Sequence, residues 1–349
     1  METIYSPQYS SNFTVRQGND SRERVISVAD PWQGADNINY NLIISEKGTD
    51  TPVSGNTQVL NKEAKRIVCM SSTHIAMLDA LGATDRIVAV SGKEYISNPR
   101  LVASSNLIPD IGYEGNIDYE TLVAVQPDLV LLFSINGSSS MEPKLREFGI
   151  SYLYIGDYLE ENPLGKAEWI VPLAEVIGER EKGIEIFNGI AERYQNLKES
   201  VIVQNQRHPK VMVNAPFMDS WFMPSSKSYV AQMINDAGGD YIYKKNTGNS
   251  SLPIDLEEAL SLVAEADYWI NIGAVRSRDE LQNTFPKFMS ADCVINGNIY
   301  NNNLRSTLGG GNDCYESGVV NPDLVLRDMI KIFHPSLISD DFTYYQKLE

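Results

Sequence analysis

The sequence is short of the residues that mark several large classes of chemistry. Its 349 residues include only 3 histidines and 3 cysteines. Cys69, Cys293 and Cys314 make no C-x-x-C spacing, and an odd number allows at most one internal disulfide, so no zinc ribbon or disulfide framework is written here. A Cys293–Cys314 disulfide and two free thiols both remain open. No apolar run approaches the ~18 residues of a membrane-spanning helix. The opening METIYSPQYS has neither the basic nor the apolar stretch of a secretory leader, which says nothing about compartment. Cations are scarce as well: 29 Lys and Arg against 46 Asp and Glu give a net charge of −17, which repels a phosphate backbone and speaks against a nucleic-acid partner. The G-x-S-x-G elbow, the H-E-x-x-H helix and the phosphate loop are all missing, so no enzyme is expected, with a chelatase acting on tetrapyrroles as the alternative. Near the end, LGGGNDC does not lead from a strand into a helix and reads as a flexible loop.

What is present is an alternation of two periods. A chain of this length exceeds what a single core usually serves, so two domains are expected. From residue 12 to 46 apolar residues alternate every second position, with a turn signal at Gly18-Asn19-Asp20, which predicts a β-rich extension followed by a polar connector. From Arg66 onward short apolar strands alternate with helices: RIVCM, STHIAMLDALG, RIVAVSG, DLVLLF, SYLYI. That pattern implies a parallel sheet with right-handed crossovers. EREKGIEIFNGIAERYQNLKESVIV carries one apolar stripe at spacings of three and four, the mark of an amphipathic helix roughly 30 Å long that can join two lobes. A second strand–helix block follows from PKVMVNAP. The expected fold is therefore α/β, with two Rossmann-like lobes of parallel strands joined by one long helix and preceded by a β-rich extension. The boundaries read as 1–61 (extension and linker), 62–178 (first lobe), 179–205 (connecting helix) and 206–349 (second lobe).

The chain also writes one phrase twice, IDYETLVAVQPDLVLLF and IDLEEALSLVAEADYWINI. Asp118 and Asp255 read as helix N-caps, and Glu258 stands at capping-box spacing from Asp255. Glu120 and Glu257 then occupy matching first-turn positions. Two exposed carboxylates at a fixed separation could be read by arginines on a partner.

In open α/β sheets ligands lie beyond the carboxyl ends of the strands. In the first lobe those positions hold Ser71, Ser72, His74, Lys93, Tyr95, Tyr113, Phe133, Asn136 and Tyr154. In the second they hold Phe217, Met218, Trp221, Phe222, Arg276 and Arg305. Aromatic faces and guanidinium groups suit a bulky, partly apolar and partly anionic compound. His74, His208 and His334 are placed too far apart in the pattern for three-histidine coordination, so neither a bare-metal site nor a resident cofactor is expected. His74 reads either as a cleft contact or as a helix-surface residue.

The order RIVCMSSTHIAMLDALGATDRIVAVSG, IPDIG, IDYETLVAVQPDLVLLF, a long helix and a second lobe ending in an IFHP helix resembles the class III substrate-binding proteins of bacterial ABC importers. The resemblance covers about residues 62 to 336; the second lobe departs from it with Ala266-Asp267 where the family often keeps Pro-Asp. It implies a ferric siderophore, haem or cobalamin held between the lobes; within that set the aromatic and arginine content favours an iron chelate, with cobalamin, a corrinoid, or haem as the alternative. It also implies a monomer outside the cytoplasmic membrane, periplasmic or lipid-anchored, that docks on a permease through Glu120 and Glu257, with Glu258 as fallback for the second.

Overall fold

The computed structural model describes residues 2–349 apart from 21, 47, 50–54, 105 and 204–207. Among the described residues four sheets organise it.

The extension folds as a five-stranded sheet of β1 (Thr3–Tyr5), β2 (Phe13–Gln17), β3 (Arg24–Ala29), β4 (Asn39–Ile44) and β5 (Thr57–Leu60) in that order. Alternation in β2 sends Phe13 and Val15 inward and Arg16 to solvent, as a sheet covered on one face requires. β5 lies inside the stretch read as a polar connector and pairs parallel with β4. Its last residues are apolar enough to bury Leu60, which the run of hydroxyls and amides before it obscures in the sequence.

This sheet is bound into the first lobe. Glu168, fully buried, accepts from the Tyr5 phenol at 2.6 Å and from the backbone N–H of Gln8, Tyr9 and Ser10 at 2.7, 2.8 and 2.8 Å. Arg24 pairs with Glu175 at 2.5 Å, and the Ser151 hydroxyl donates to the Val59 carbonyl at 2.8 Å. Glu142 takes three phenols, Tyr40 at 2.8 Å, Tyr152 at 2.9 Å and Tyr154 at 2.5 Å, so the carboxylate joins the extension to the lobe's edge strand.

The first lobe carries a parallel sheet ordered β7 (Ile87–Val90), β6 (Ile67–Cys69), β8 (Leu129–Leu132), β9 (Ser151–Tyr154). β6 and β8 are buried along their whole length, which is why they read as continuous apolar runs rather than alternations. The second lobe's sheet runs β13 (Asp240–Tyr241), β10 (Lys210–Val213), β15 (Tyr268–Ile270), β16 (Ile299–Asn301), with β17 (Gln346–Lys347) added antiparallel at the edge. A small sheet of β11 (Pro216–Phe217), β12 (Ser220–Met223) and β14 (Leu252–Ile254) stands beside it.

The long helix spans Arg180–Val203, and Phe187, Ile190 and Tyr194 form its buried stripe. The end of the expected span, 204–205, lies outside the described residues. Gly183 lets the helix nest on the one before it, since a Cβ there would come 2.3 Å from that of Ala174. Arg193 reaches the buried Asp323 of the final helix Pro322–Phe333 at 2.6 Å.

The LGGGNDC stretch is not a loose loop. A Cβ on Gly309 or Gly311 would meet the carbonyl oxygens of Glu94 and Tyr95 at 2.4 Å, so the glycines bring the second lobe's backbone directly onto the first lobe's. Beside them the buried Glu316 accepts from the Ser97 N–H at 2.7 Å. All three cysteines are buried free thiols, which removes the Cys293–Cys314 disulfide.

Candidate functional site

Residues just past strand ends of both lobes, Thr73, Asp157, Asn271 and Asn302, line one space between the lobes, and the residues after the strands make up the candidate site. Past β6, Ser71 caps the helix Ser72–Ala80, its hydroxyl accepting from Thr73 N–H at 3.3 Å. Ser71, Ser72, Tyr95, Tyr113 and Phe133 line one recess of about 200 Å³ on the first lobe. The Tyr95 and Tyr113 rings stand 6.4 Å apart, and the Tyr113 phenol donates to Glu94 at 2.5 Å. That hydrogen bond, to an acceptor that becomes repulsive once the phenol ionises, holds Tyr113 above the usual phenol range. Lys93 donates to the Ile108 carbonyl at 2.8 Å, and Asn136 is exposed beyond β8.

In the second lobe the hairpin β11–β12 turns at Met218, whose φ of 54° is left-handed, and it exposes Phe217 at 64% and Met218 at 83%. Exposed apolar side chains on such a turn are the kind of surface a ligand or partner covers. Arg276 is exposed and donates to the Ser306 hydroxyl at 3.0 Å. Arg305 is already engaged, with Asp313 at 3.1 Å and its guanidinium 5.8 Å from the Tyr344 ring.

Three expected contacts are placed elsewhere. Trp221 is fully buried among Trp269 and Phe288, at 5.4 Å from each ring, and its indole N–H donates to the Val213 carbonyl at 2.9 Å. Strand alternation explains this: β12 turns Phe222 outward and therefore Trp221 inward. Tyr154 is also fully buried, its phenol committed to Glu142 and accepting from the Ser139 N–H at 2.8 Å. His74 is neither a cleft contact nor a helix-surface residue, because the helix Ser72–Ala80 is buried from His74 through Leu78. Its ring meets Phe133 edge-on at 6.4 Å, and burial pushes its pKa down to about 3, so it stays neutral. Among the described residues no group of His, Cys, Asp and Glu is arranged to hold a metal ion.

The caps form as expected. Asp118 accepts from Thr121 N–H at 2.9 Å and Asp255 from Glu258 N–H at 2.8 Å. Glu258 does not close a capping box; its carboxylate pairs with Lys245 at 2.5 Å. Glu120 and Glu257 are exposed in the first turns of their helices.

Two spaces were not visible in the sequence. A chamber of about 150 Å³ is lined from both lobes, by Thr73, Asp157 and Lys166 on one side and by Tyr229, Met233, Val325 and Met329 on the other. A wider groove of about 1070 Å³ has Tyr9, Asn12, Trp32 and Gln33 of the extension on one wall and Lys227, Gln232 and Asn249 on the other. Asp157 lies just past β9 and the strand-end rule could have found it; Lys166, on a helix, carried no such signal.

The family model for periplasmic binding proteins matches residues 67–301. An uncharacterized lipoprotein of Methanocaldococcus jannaschii is 24% identical over 345 residues, 91% of this chain and 80% of that protein. An uncharacterized ABC transporter substrate-binding lipoprotein of Bacillus subtilis is 21% identical over 50% of this chain and 54% of its own length. Among solved structures, a periplasmic heme binding protein from Pseudomonas aeruginosa superposes with a TM-score of 0.64 at 16% identity, covering 82% of this chain and 98% of that one. An ABC-type Fe3+-hydroxamate transport protein from Saccharomonospora viridis gives 0.58 at 18% identity, covering 78% and 94%. At these identities the structures establish a shared fold.

Proposed function

We propose, from the premise that this chain belongs to the periplasmic binding protein family, that it is the extracytoplasmic substrate-binding component of an ABC importer. It captures an iron-siderophore-type chelate between its lobes and delivers it to a membrane permease. The observation that carries this reading is the first-lobe recess, where Tyr95, Tyr113 and Phe133 surround the serine-capped start of a helix. Aromatic faces take the body of a chelate, and the helix start and its hydroxyls take an anionic edge. The second lobe adds Met218, Phe222 and Arg276. The names of the similar proteins, an Fe3+-hydroxamate transport protein and a heme binding protein, favour a metal-centred ligand, and the lipoprotein relatives favour a site outside the cytoplasmic membrane.

Glu120 and Glu257 serve as the docking points. Both are exposed, whereas Glu258 is held by Lys245, which favours Glu257 as the acid presented by the second lobe.

The test has two arms. Titration of the protein with a ferric hydroxamate, haem and cobalamin, read by visible absorbance, should give one saturable partner; binding of none sinks the reading. In cells, Glu120→Lys and Glu257→Lys should each lower uptake while affinity in solution is unchanged. A drop in affinity for both variants argues against docking.

A further inference from the structure

The chamber between the lobes contains a charge of each sign in a mostly apolar wall. Lys166 is 9% exposed and Asp157 3% exposed. The Lys166 ammonium donates to the Asp157 backbone carbonyl at 2.8 Å and sits 4.9 Å from the Tyr229 ring centroid. An ammonium has three donors, and that carbonyl takes one. The other acid nearby, Glu160, is turned to the extension, where it accepts from the Trp169 indole at 2.9 Å and from Ser10. Val230, Met233, Val325 and Met329 supply the apolar side. Burial lowers the Lys166 pKa and raises that of Asp157; each charge is offset in part by the other, and the Asp157 carboxylate also accepts from Thr73, so the chamber wall presents a pair of opposite charges.

The chamber's net charge is close to zero. A simple anion would meet Lys166 but also Asp157, and a simple cation the reverse. A molecule carrying both charges, with an apolar portion, satisfies all three features. The volume, about 150 Å³, matches a cavity that takes a benzene-sized solute. Tyr158 lines both the chamber and the 1070 Å³ groove.

We propose that the chamber is a binding site for a zwitterionic α-amino acid with a small branched apolar side chain, its carboxylate on Lys166, its ammonium on Asp157 and its side chain against Met233, Val325 and Met329. The site is distinct from the aromatic recess and does not depend on the chelate reading.

The experiment is isothermal titration of the whole protein at pH 7 with L-valine, and with isobutyrate and isobutylamine as its two half-molecules. Valine should bind saturably at one site, and each half-molecule at least ~10-fold more weakly, the loss expected when one charge pair is missing. Met233→Trp fills the chamber without touching either charge and should abolish valine binding; Val325→Phe does the same should that variant not fold. Lys166→Met and Asp157→Asn should each weaken valine at least ~10-fold. The proposal is overturned if valine gives no saturable heat at millimolar concentration, if isobutyrate binds as tightly as valine, or if the filled chamber binds valine unchanged. Chelate binding, read separately by visible absorbance, can succeed or fail independently of each of these results.

Discussion

Replacing Glu168 by glutamine changes one atom and tests what joins the extension to the rest of the chain. Each carboxylate oxygen accepts two hydrogen bonds: Oε1 from the Tyr5 phenol and Gln8 N–H, Oε2 from Tyr9 and Ser10 N–H. The amide group keeps one acceptor and turns a donor toward two donors. Leaving a buried donor unmet costs about 1–3 kcal/mol each. The two surviving bonds also lose their charge assistance, roughly half their strength. Removing a buried charge returns part of this, because its desolvation no longer has to be offset. The net expectation is a loss of about 3 kcal/mol, which for a chain of this size lowers the Tm by about 4 °C. Differential scanning calorimetry measures the shift, and amide exchange at Gln8, Tyr9 and Ser10 localises it. An unchanged Tm with unchanged exchange at those three amides would refute the claim that this carboxylate holds the extension.

Burial lifts the Glu316 carboxyl from 4.5 to about 7, so the folded chain holds that proton more tightly than the unfolded one. Its contribution is therefore present below about pH 4.5 and is lost as pH rises to 7, by about 3 kcal/mol at most. Glu316→Gln keeps an acceptor for Ser97 and should flatten this slope in urea unfolding at pH 5 and pH 8; an unaltered slope counts against it. Gly311→Ala should cost about 1–3 kcal/mol and raise amide exchange at Glu94–Ile96, because its methyl meets Tyr95 rather than strained backbone. Gly248→Ala, whose methyl meets nothing closer than 3.5 Å, is the matched control, and equal effects from the two would sink the argument. A thiol reagent should modify none of the cysteines in the native protein and all three in denaturant, and one missing equivalent would revive a disulfide.

The architecture was legible wherever burial writes itself into periodicity. β6 and β8 are buried on both faces and appear as unbroken apolar runs; the Arg180–Val203 helix appears as a stripe; Asp118 and Asp255 appear as caps because their partners are three residues away. The site was legible only in part. Tyr95, Tyr113 and Phe133 follow strand ends and line one recess, but Trp221 sits one residue from Phe222 on a strand whose facing only the third dimension decides. Contacts between distant segments left no trace. Glu168 and Ser10 are 158 residues apart, and a buried glutamate on a helix looks like any solvated one until its donors are known. The triple glycine was misjudged for the same reason, since its purpose is the carbonyls of Glu94 and Tyr95, over two hundred residues earlier.

The added five-stranded sheet is fastened to the first lobe. The two lobes share a strand order, and each carries an exposed glutamate in the first turn of a helix, Glu120 and Glu257. On the proposed docking role, a permease that recognised nothing but Glu120 and Glu257 would accept the protein either way round. On that role the sheet would break the degeneracy: it lies beside β9, and among the described residues the second lobe carries no five-stranded sheet to match it, so a permease shaped to fit it would take the loaded protein in one orientation.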